Sequence, residues 1–427
     1  MVIVVAGVLL HKKIKDRIMQ QVQTEAAAIA LPSQTRSGKG LPAALWALTI
    51  SAFAIGTTEF VAVGILPTIA ESLHVSVSVS GLLVSIYALG VAIGGPILTV
   101  LTSKAPRKQL LVSMMLLFIA GHVASALAPD FISLLISRFI SGFAHAVFFG
   151  VGATIAATLV APDKKASAIA IMFAGLTVAI IVGVPLGTFI GQHFGWRATF
   201  GGVAILGLIA FAATWALIPN RISSGPILPL KEQLKVIRNP EVLLVLAITA
   251  FGYGGTFVVF TYLASLLEHI TGFSAASVSL LLLVYGVAIA LGNLWGGKVS
   301  NHNPAKVLIR MFIAQAAALA LFTLTANYQV PAVVTLCLIG GLSFATVPGL
   351  QLYVVQLAQK YLPGTEGIAS SLNISAFNLG IAIGAYVGGM VVDSPLGLVS
   401  TPWVGALFVL LGVGLTVWSY RRNRGDL

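Results

Sequence analysis

GGPILTVLTSKAPRKQL, residues 94–110, ends one apolar run on a glycine–proline step, crosses Lys104, Arg107 and Lys108, and enters another apolar run. Residues 79–101 before the hinge and 109–128 after it carry no Lys, Arg, Asp or Glu. Each run is about the twenty residues that a helix needs to cross a bilayer. A short basic hinge between two such runs reads as a turn at the cytoplasmic face, where lysine and arginine accumulate. Composition extends the reading to the whole chain. Of 427 residues, 58% are apolar and 8% charged, and the mean hydropathy is +1.01. A soluble domain of that composition would expose far too much apolar surface, so lipid is part of its solvent.

Further runs lie near 43–66, 131–155, 167–192, 200–219, 242–266, 276–297, 306–326, 330–352, 368–392 and 402–420. The predicted fold is therefore an all-α integral membrane protein with twelve transmembrane helices. The longest polar interruption, with Arg221, Lys231, Lys235 and Arg238, divides the spans six and six. Expected organisation follows: a cytoplasmic N-terminal tail (1–42), a six-helix bundle (43–219), a cytoplasmic linker (220–241), and a second bundle with a short tail (242–427). Met1 to Leu10 is apolar but half the length of a span, and its basic residues follow it, the reverse of a signal peptide. With the N-terminus inside, all of the 24 lysines and arginines except Arg138 and Arg197 fall on the cytoplasmic face. Both termini are thus expected in the cytoplasm, with the chain in a bacterial inner membrane. The net charge of +12 sits in these hinges, which argues against a nucleic-acid partner.

The halves repeat. A shift of 198 residues sets Phe53, Gly56 and Thr58 on Phe251, Gly254 and Thr256, and Tyr87, Gly94, Pro106, Lys108 and Leu110 on Tyr285, Gly292, Pro304, Lys306 and Leu308. Two pseudo-symmetric bundles in parallel orientation suggest rocking about a site between them at mid-membrane.

Some residues stand out against this background. Glu59 lies about 10 Å inside the outer boundary at 1.5 Å per residue, and an acid at that depth is costly enough to be a functional hypothesis by default. Arg138 lies about 12 Å below the same surface, so the two share a depth and can pair if the first and fourth helices face each other, each offsetting part of the other's desolvation. A static structural pair is the competing reading. His145 lies seven residues on, on nearly the same helix face, and completes a candidate proton-coupling set of Glu59, Arg138 and His145. The candidate substrate cavity comprises Tyr87, Tyr253, Thr256, Tyr262, Asn293, Gln351, Asn373 and Asn378; each alone also suits helix–helix contact. Gly183, Gly187 and Gly191 recur every fourth residue, as do Gly380, Gly384 and Gly388. Such stripes let helices approach closely, and Pro185 within the first bends its helix, a candidate gate.

Gly292 to Lys298 fits the spacing of a nucleotide-binding loop, but Val299 follows where Ser or Thr is needed, and no strand precedes it. Seven scattered histidines and the lone Cys337 offer no metal site, and no nucleophile–base–acid set suggests an enzyme. The expected partners are a small-molecule substrate, protons and the lipid bilayer. No cofactor or metal is expected, and the chain is expected to be a monomer.

These motifs resemble the major facilitator superfamily over roughly residues 43–420. The hinge Gly94-Gly95-Pro96…Ser103-Lys104-Ala105-Pro106-Arg107-Lys108 is similar to that superfamily's loop between spans two and three. Thr99, Ser103 and Pro106 replace its usual glycine, acid and second glycine. The resemblance implies a gating role for Arg107 and Lys108. Arg138-x-x-Ser141-Gly142 is similar to the arginine motif of proton-coupled exporters, and Gly175…Gly183-Val184-Pro185-Leu186-Gly187 to the antiporter motif. Gly56-Thr57-Thr58-Glu59-Phe60 with Gly64-x-x-Pro67, His145 with Phe148-Phe149-Gly150, Gly195-Trp196-Arg197 and Asn378-Leu379-Gly380 look like the arabinose-efflux-permease-like branch of the proton-linked drug exporters. This implies proton-coupled efflux of a sugar, nucleoside or drug by antiport. Proton-coupled uptake remains open, because membrane chemistry alone is compatible with either direction. A membrane-embedded sensor or enzyme is the remote alternative.

Overall fold

The structure is a computed structural model that describes residues 42–102, 105–161, 164–220, 235–300 and 303–423. Residues 1–41 of the expected N-terminal tail, residues 221–234 of the expected linker, and Lys104 lie outside the described residues. Among those described, twelve helices are long and apolar enough to cross a membrane, and none of the chain is in strands. The fold class is as predicted.

The helices run α1 (Ala43–Ser72), α2 (Val77–Leu101), α3 (Arg107–Ala126), α4 (Phe131–Thr158), α5 (Lys165–Val178, a five-residue π segment Ala179–Gly183, then Val184–Phe194) and α6 (Trp196–Leu217). The second set is α7 (Pro240–Phe260, continued by Leu263–His269), α8 (Ala275–Val299), α9 (Pro304–Thr325), α10 (Gln329–Tyr361), α11 (Glu366–Asp393) and α12 (Thr401–Asn423). Several outrun their apolar stretches: α1 was expected to end at Leu66 and α10 at Leu352. Helical hydrogen bonding continues beyond the lipid wherever the chain has no reason to turn, and hydropathy does not register that.

Polar caps fix the ends. Asp130 accepts from the Ser133 backbone N–H at 2.8 Å in a capping box that starts α4. The bonds from Ser133 hold the Asp130 carboxyl below its usual range. Asn239, Ser274 and Asn303 cap α7, α8 and α9 in the same manner. The ends of α1, α3, α5, α7, α9 and α11 define one face, called here the far face. The starts of those helices define the opposite, terminal face. Trp46, Trp215, Trp295 and Trp418 stand exposed near the terminal face, a belt where amphipathic rings sit at a lipid boundary. There too, Arg422 pairs with Glu241 at 2.6 Å. Each of these charges is at the favourable pole of its own helix, the acid in the first turn of α7 and the base in the last turn of α12.

Helices α1–α6 pack among themselves, as do α7–α12. The glycine stripes make this possible. On α5, Gly183, Gly187 and Gly191 lie against Thr57, Val61 and Ile65 of α1, so close that a Cβ on Gly187 would meet Val61 at 2.5 Å. On α11, Gly380, Gly384 and Gly388 lie against Ala250, Gly254 and Val258 of α7. The stripe is thus repeated at the same helix pair in each half. Pro185 does more than bend α5: the π segment ends one residue before Val184, and there Ile180 and Ile181 meet Gly286 of α8.

The two bundles join unequally. The apolar core of the second bundle runs on into Phe60, Ala62, Val63, Val84, Ala88, Ile180 and Val184 of the first, all in the middle or far parts of α1, α2 and α5. The core of the first bundle's terminal half, from Leu45 and Leu48 to Ile155 and Ile218, is a separate cluster. Among the described residues, every side-chain hydrogen bond between bundles lies in the far half. Ser78 donates to Asp393, Tyr262 to the Ser78 carbonyl at 3.4 Å, Gln192 to the Ala275 carbonyl at 2.9 Å and Ser279 to Gln192 at 2.8 Å. The far face is closed by these contacts.

Candidate functional site

Arg138 organises the interior of the first bundle. It is fully buried on α4, where a guanidinium must find acceptors. It finds them in one residue: Nη1 donates to Thr58 Oγ1 at 2.8 Å and Nη2 to the Thr58 carbonyl at 3.2 Å. Its flat face lies 4.1 Å over the Tyr87 ring, with Phe200 at 5.7 Å, a cation–π arrangement that strengthens when dry. Nε is buried with no partner.

Pairing of Glu59 with Arg138 was expected if the first and fourth helices face each other. Among the described residues the Glu59 carboxylate makes no hydrogen bond and no ion pair; the guanidinium is turned to Thr58 instead. One residue along α1 is about 100° around it, and Arg138 meets the face that carries Thr58. Glu59 nonetheless lies within the field of Arg138, and its own charge reaches Tyr87 and, across the bundle seam, Tyr253. It is only half-buried while its neighbours Thr58 and Phe60 are buried. An unpaired acid within a spanning helix can gain or lose a proton.

His145 is placed as expected beside this site. Its Nδ1 meets the Tyr87 hydroxyl at 3.1 Å, and its ring lies against Phe149. Tyr87, expected in the substrate cavity, therefore belongs to the charged cluster, wedged between Arg138 and His145. One member has no counterpart in the expected set. His122 on α3 is fully buried, with Nε2 2.6 Å from Thr58 Oγ1 and Nδ1 2.6 Å from the Phe118 carbonyl. Its depth was a signal available in the sequence: it stands four residues from the far end of α3, as Arg138 stands seven from the far end of α4.

The remaining cavity residues divide. Tyr262 is buried at the far-face seam, donating to the Ala385 carbonyl at 2.9 Å and packed against Gly81, Gly388 and Gly389. It is a wedge between bundles, its hydroxyl also within reach of the Ser78 carbonyl of α2. Thr256 lies inside the second bundle, accepting from Gln315 at 2.7 Å and donating to Ser343 at 2.8 Å. Asn373 has both amide ends engaged, by Thr249 at 2.7 Å and Gln351 at 2.8 Å, and Gln351 donates onward to Ser370. These side chains are consumed in joining helices, the role that polar groups commonly take in membranes. Three others keep open chemistry. Asn293 and Asn378 each have a buried amide oxygen without a partner. Tyr253 stands in an aromatic group with Phe257, Phe344 and Phe377, to which Phe60, next to Glu59, is joined through Phe257 and Phe344. Arg107 and Lys108 begin α3 at the terminal face, half-buried. A groove of about 350 Å³ between α2, α4 and α11, lined by Leu82, Ser85, Leu135, Leu379 and Tyr386 among others, is almost wholly apolar and contains none of the expected site residues.

Comparison with known proteins agrees with this architecture. The profile of the Major Facilitator Superfamily matches residues 48–365. The chain is 52% identical to an uncharacterized MFS-type transporter, YtbD, of Bacillus subtilis, over 92% of this chain and 99% of that one. It is 38% identical to the inner membrane transport protein YdhP of Escherichia coli, over 89% and 96%, and 32% identical to the putative transporter AraJ of the same organism, over 88% and 95%. In fold it is similar to the crystal structure of a D-xylose–proton symporter, with a TM-score of 0.69 at 15% identity over 88% of this chain and 96% of that one. With twelve spanning helices in two alike bundles and a family match over most of its length, the chain belongs to the major facilitator superfamily and is a multi-pass membrane transporter.

Proposed function

We propose that this chain is a monomeric secondary antiporter of the bacterial inner membrane that exports a small molecule in exchange for protons, with both termini in the cytoplasm. The observation that carries the reading is Glu59: an acid within a spanning helix, half-buried and unpaired, in the field of a buried Arg138. Protonation changes the net charge of this site by one unit in a medium where charge is costly. It therefore shifts the balance between conformations that hydrate the site differently. A proton from the far side neutralises Glu59, and the site opens to the terminal side to release it. Substrate, met by Tyr253, Asn293 and Asn378, leaves by the opposite cycle. His145, open at Nε2, stands beside the route. Residues 43–219 and 242–427 are the two rocking bodies, joined by the linker 220–241. The π segment with Pro185 and the glycine stripe is the element of α5 that flexes, and Arg107 and Lys108 act at the terminal-face gate. Sugars, nucleosides and drugs are the substrate classes in view.

The test is proton movement in proteoliposomes that hold a pH dye, during addition of a panel of sugars, nucleosides and hydrophobic cations. Antiport requires that one of these releases protons from acid-loaded vesicles, and that Glu59→Gln abolishes the release while remaining folded. Proton entry together with the ligand would establish symport in its place. Release that persists in Glu59→Gln would remove Glu59 from the mechanism.

A further inference from the structure

Many threonines in this chain bond back along their own helix, whereas Thr58, like Thr249 and Thr256, is tied to neighbouring helices instead. Thr49, Thr57, Thr188, Thr261 and Thr416 each donate their hydroxyl proton to the carbonyl four residues back, at 2.6–3.0 Å. This is the default for a threonine on a helix away from water. Thr58 makes no such bond among the described residues. Its oxygen lies 2.6 Å from His122 Nε2 and 2.8 Å from Arg138 Nη1.

The direction of each bond is fixed by elimination. The Phe118 carbonyl can only accept, so His122 Nδ1 carries a proton. In the neutral ring Nε2 is then an acceptor, and the only proton available to it is that of the Thr58 hydroxyl. Arg138 can only donate, so Thr58 Oγ1 accepts from it. The chain of donation runs from Arg138 to Thr58 to His122 to Phe118, and each group in it has one role. His122 is the member that draws the hydroxyl proton away from its default acceptor, the Ala54 carbonyl. In doing so it holds the oxygen where Arg138 finds it.

We propose that His122 is a positioning residue for the proton site: by accepting from Thr58 it holds Arg138 on Thr58 and away from Glu59, the next residue along α1. The proposal rests on Glu59 being the group that exchanges the proton. Without the imidazole, the Thr58 hydroxyl returns to the Ala54 carbonyl and the Nη1 bond is lost. Arg138, whose Nε already lacks a partner, is then free to turn to the Glu59 carboxylate. A carboxylate paired with an arginine holds its proton less well, by about one pH unit or more. The charged and titratable groups around the site are Arg138 and His145 from α4, Tyr87 from α2, Tyr253 from α7 and His122 from α3. Glu59 is the one acid among them, and Arg138 the one standing cation.

The experiment needs no substrate. Infrared difference titration of the protein in liposomes follows the carboxylic acid band that is lost in Glu59→Gln. In His122→Ala the midpoint of that band is expected to move to lower pH by about one unit or more, and Thr58→Val, which keeps the shape of the threonine, should do the same. His122→Gln places an amide oxygen near the position of Nε2 and is expected to restore the original midpoint, as is Thr58→Ser. An unmoved midpoint in folded His122→Ala and Thr58→Val overturns the proposal, and so does failure of His122→Gln to restore it. A merely structural histidine would lower thermal stability in the variants and leave the midpoint in place. Should Glu59→Gln still couple protons to transport, the parent reading falls separately, because the band midpoints report on Arg138 either way.

Discussion

The two halves of the molecule use one buried position in two ways. Thr58 in the first bundle and Thr256 in the second correspond under the 198-residue repeat, and both are fully buried on the first helix of their bundle. Both are gripped by a polar side chain from the third helix and another from the fourth: His122 and Arg138 for Thr58, Gln315 and Ser343 for Thr256. Only the threonine is shared by the repeat; the side chains that grip it stand at different registers, Ala320 and Leu336 answering to His122 and Arg138. Where the first half has Glu59 and Arg138, the second has Phe257 and Leu336, and Phe257 is packed among aromatic rings. A knot of neutral side chains joins helices. One with a guanidinium tied into it and a carboxylate one residue away becomes a site whose charge can change.

Substitutions can break this contrast or sharpen it. The largest effect is expected from Glu59→Gln, which should make the first half as neutral as the second and stop proton-driven transport while downhill exchange continues, read as substrate flux with and without a proton gradient. Arg138→Lys comes next. A lysine ammonium is a point charge and cannot hold both the hydroxyl and the carbonyl of Thr58 while lying flat on Tyr87, so coupling should fall by roughly tenfold or more, about 1.4 kcal/mol in the driven step. Gly286→Ala acts on the seam between halves. Its Cβ would stand 2.8 Å from the Ile180 carbonyl, so α8 should be pushed from α5 at mid-helix, loosening the seam toward the far face. Spin-label distances across that face are then expected to lengthen, with a few-fold change in rate. Thr256→Val should matter least. It removes a neutral bond partner from Gln315 and Ser343 at a cost of about 1–2 kcal/mol in thermal stability and leaves the pH dependence of transport untouched. A shift of that pH dependence in Thr256→Val would show that the second knot also takes part in coupling, and the contrast would fail.

The fold was legible because lipid is a strict solvent: runs of about twenty apolar residues and the placement of lysine and arginine allow few other arrangements. Helix ends were less legible, as α1 and α10 show, since apolarity stops at the lipid boundary and hydrogen bonding does not. Glu59 and Arg138 were visible for the same reason as the spans, a charge in a membrane being rare enough to notice. Their mutual aim was not visible. Sequence gives depth along a helix, whereas contact also requires the angle around it, and that angle gave Arg138 to Thr58. Tyr262, Thr256 and Asn373 were read as cavity residues because an amide or hydroxyl on a membrane helix suits ligand and neighbouring helix equally, and only coordinates tell the two apart. His122 escaped because a lone histidine in an apolar run carries no motif.

The bonds that close the far face are all between neutral groups, except that one acceptor is the carboxylate of Asp393. No ion pair spans the seam among the described residues; the Glu241–Arg422 pair lies within the second bundle. Attraction between opposite charges at a surface weakens as dissolved salt screens it, whereas contacts between neutral groups at bonding distance change little. A seam fastened in this way is expected to change little between dilute and concentrated salt.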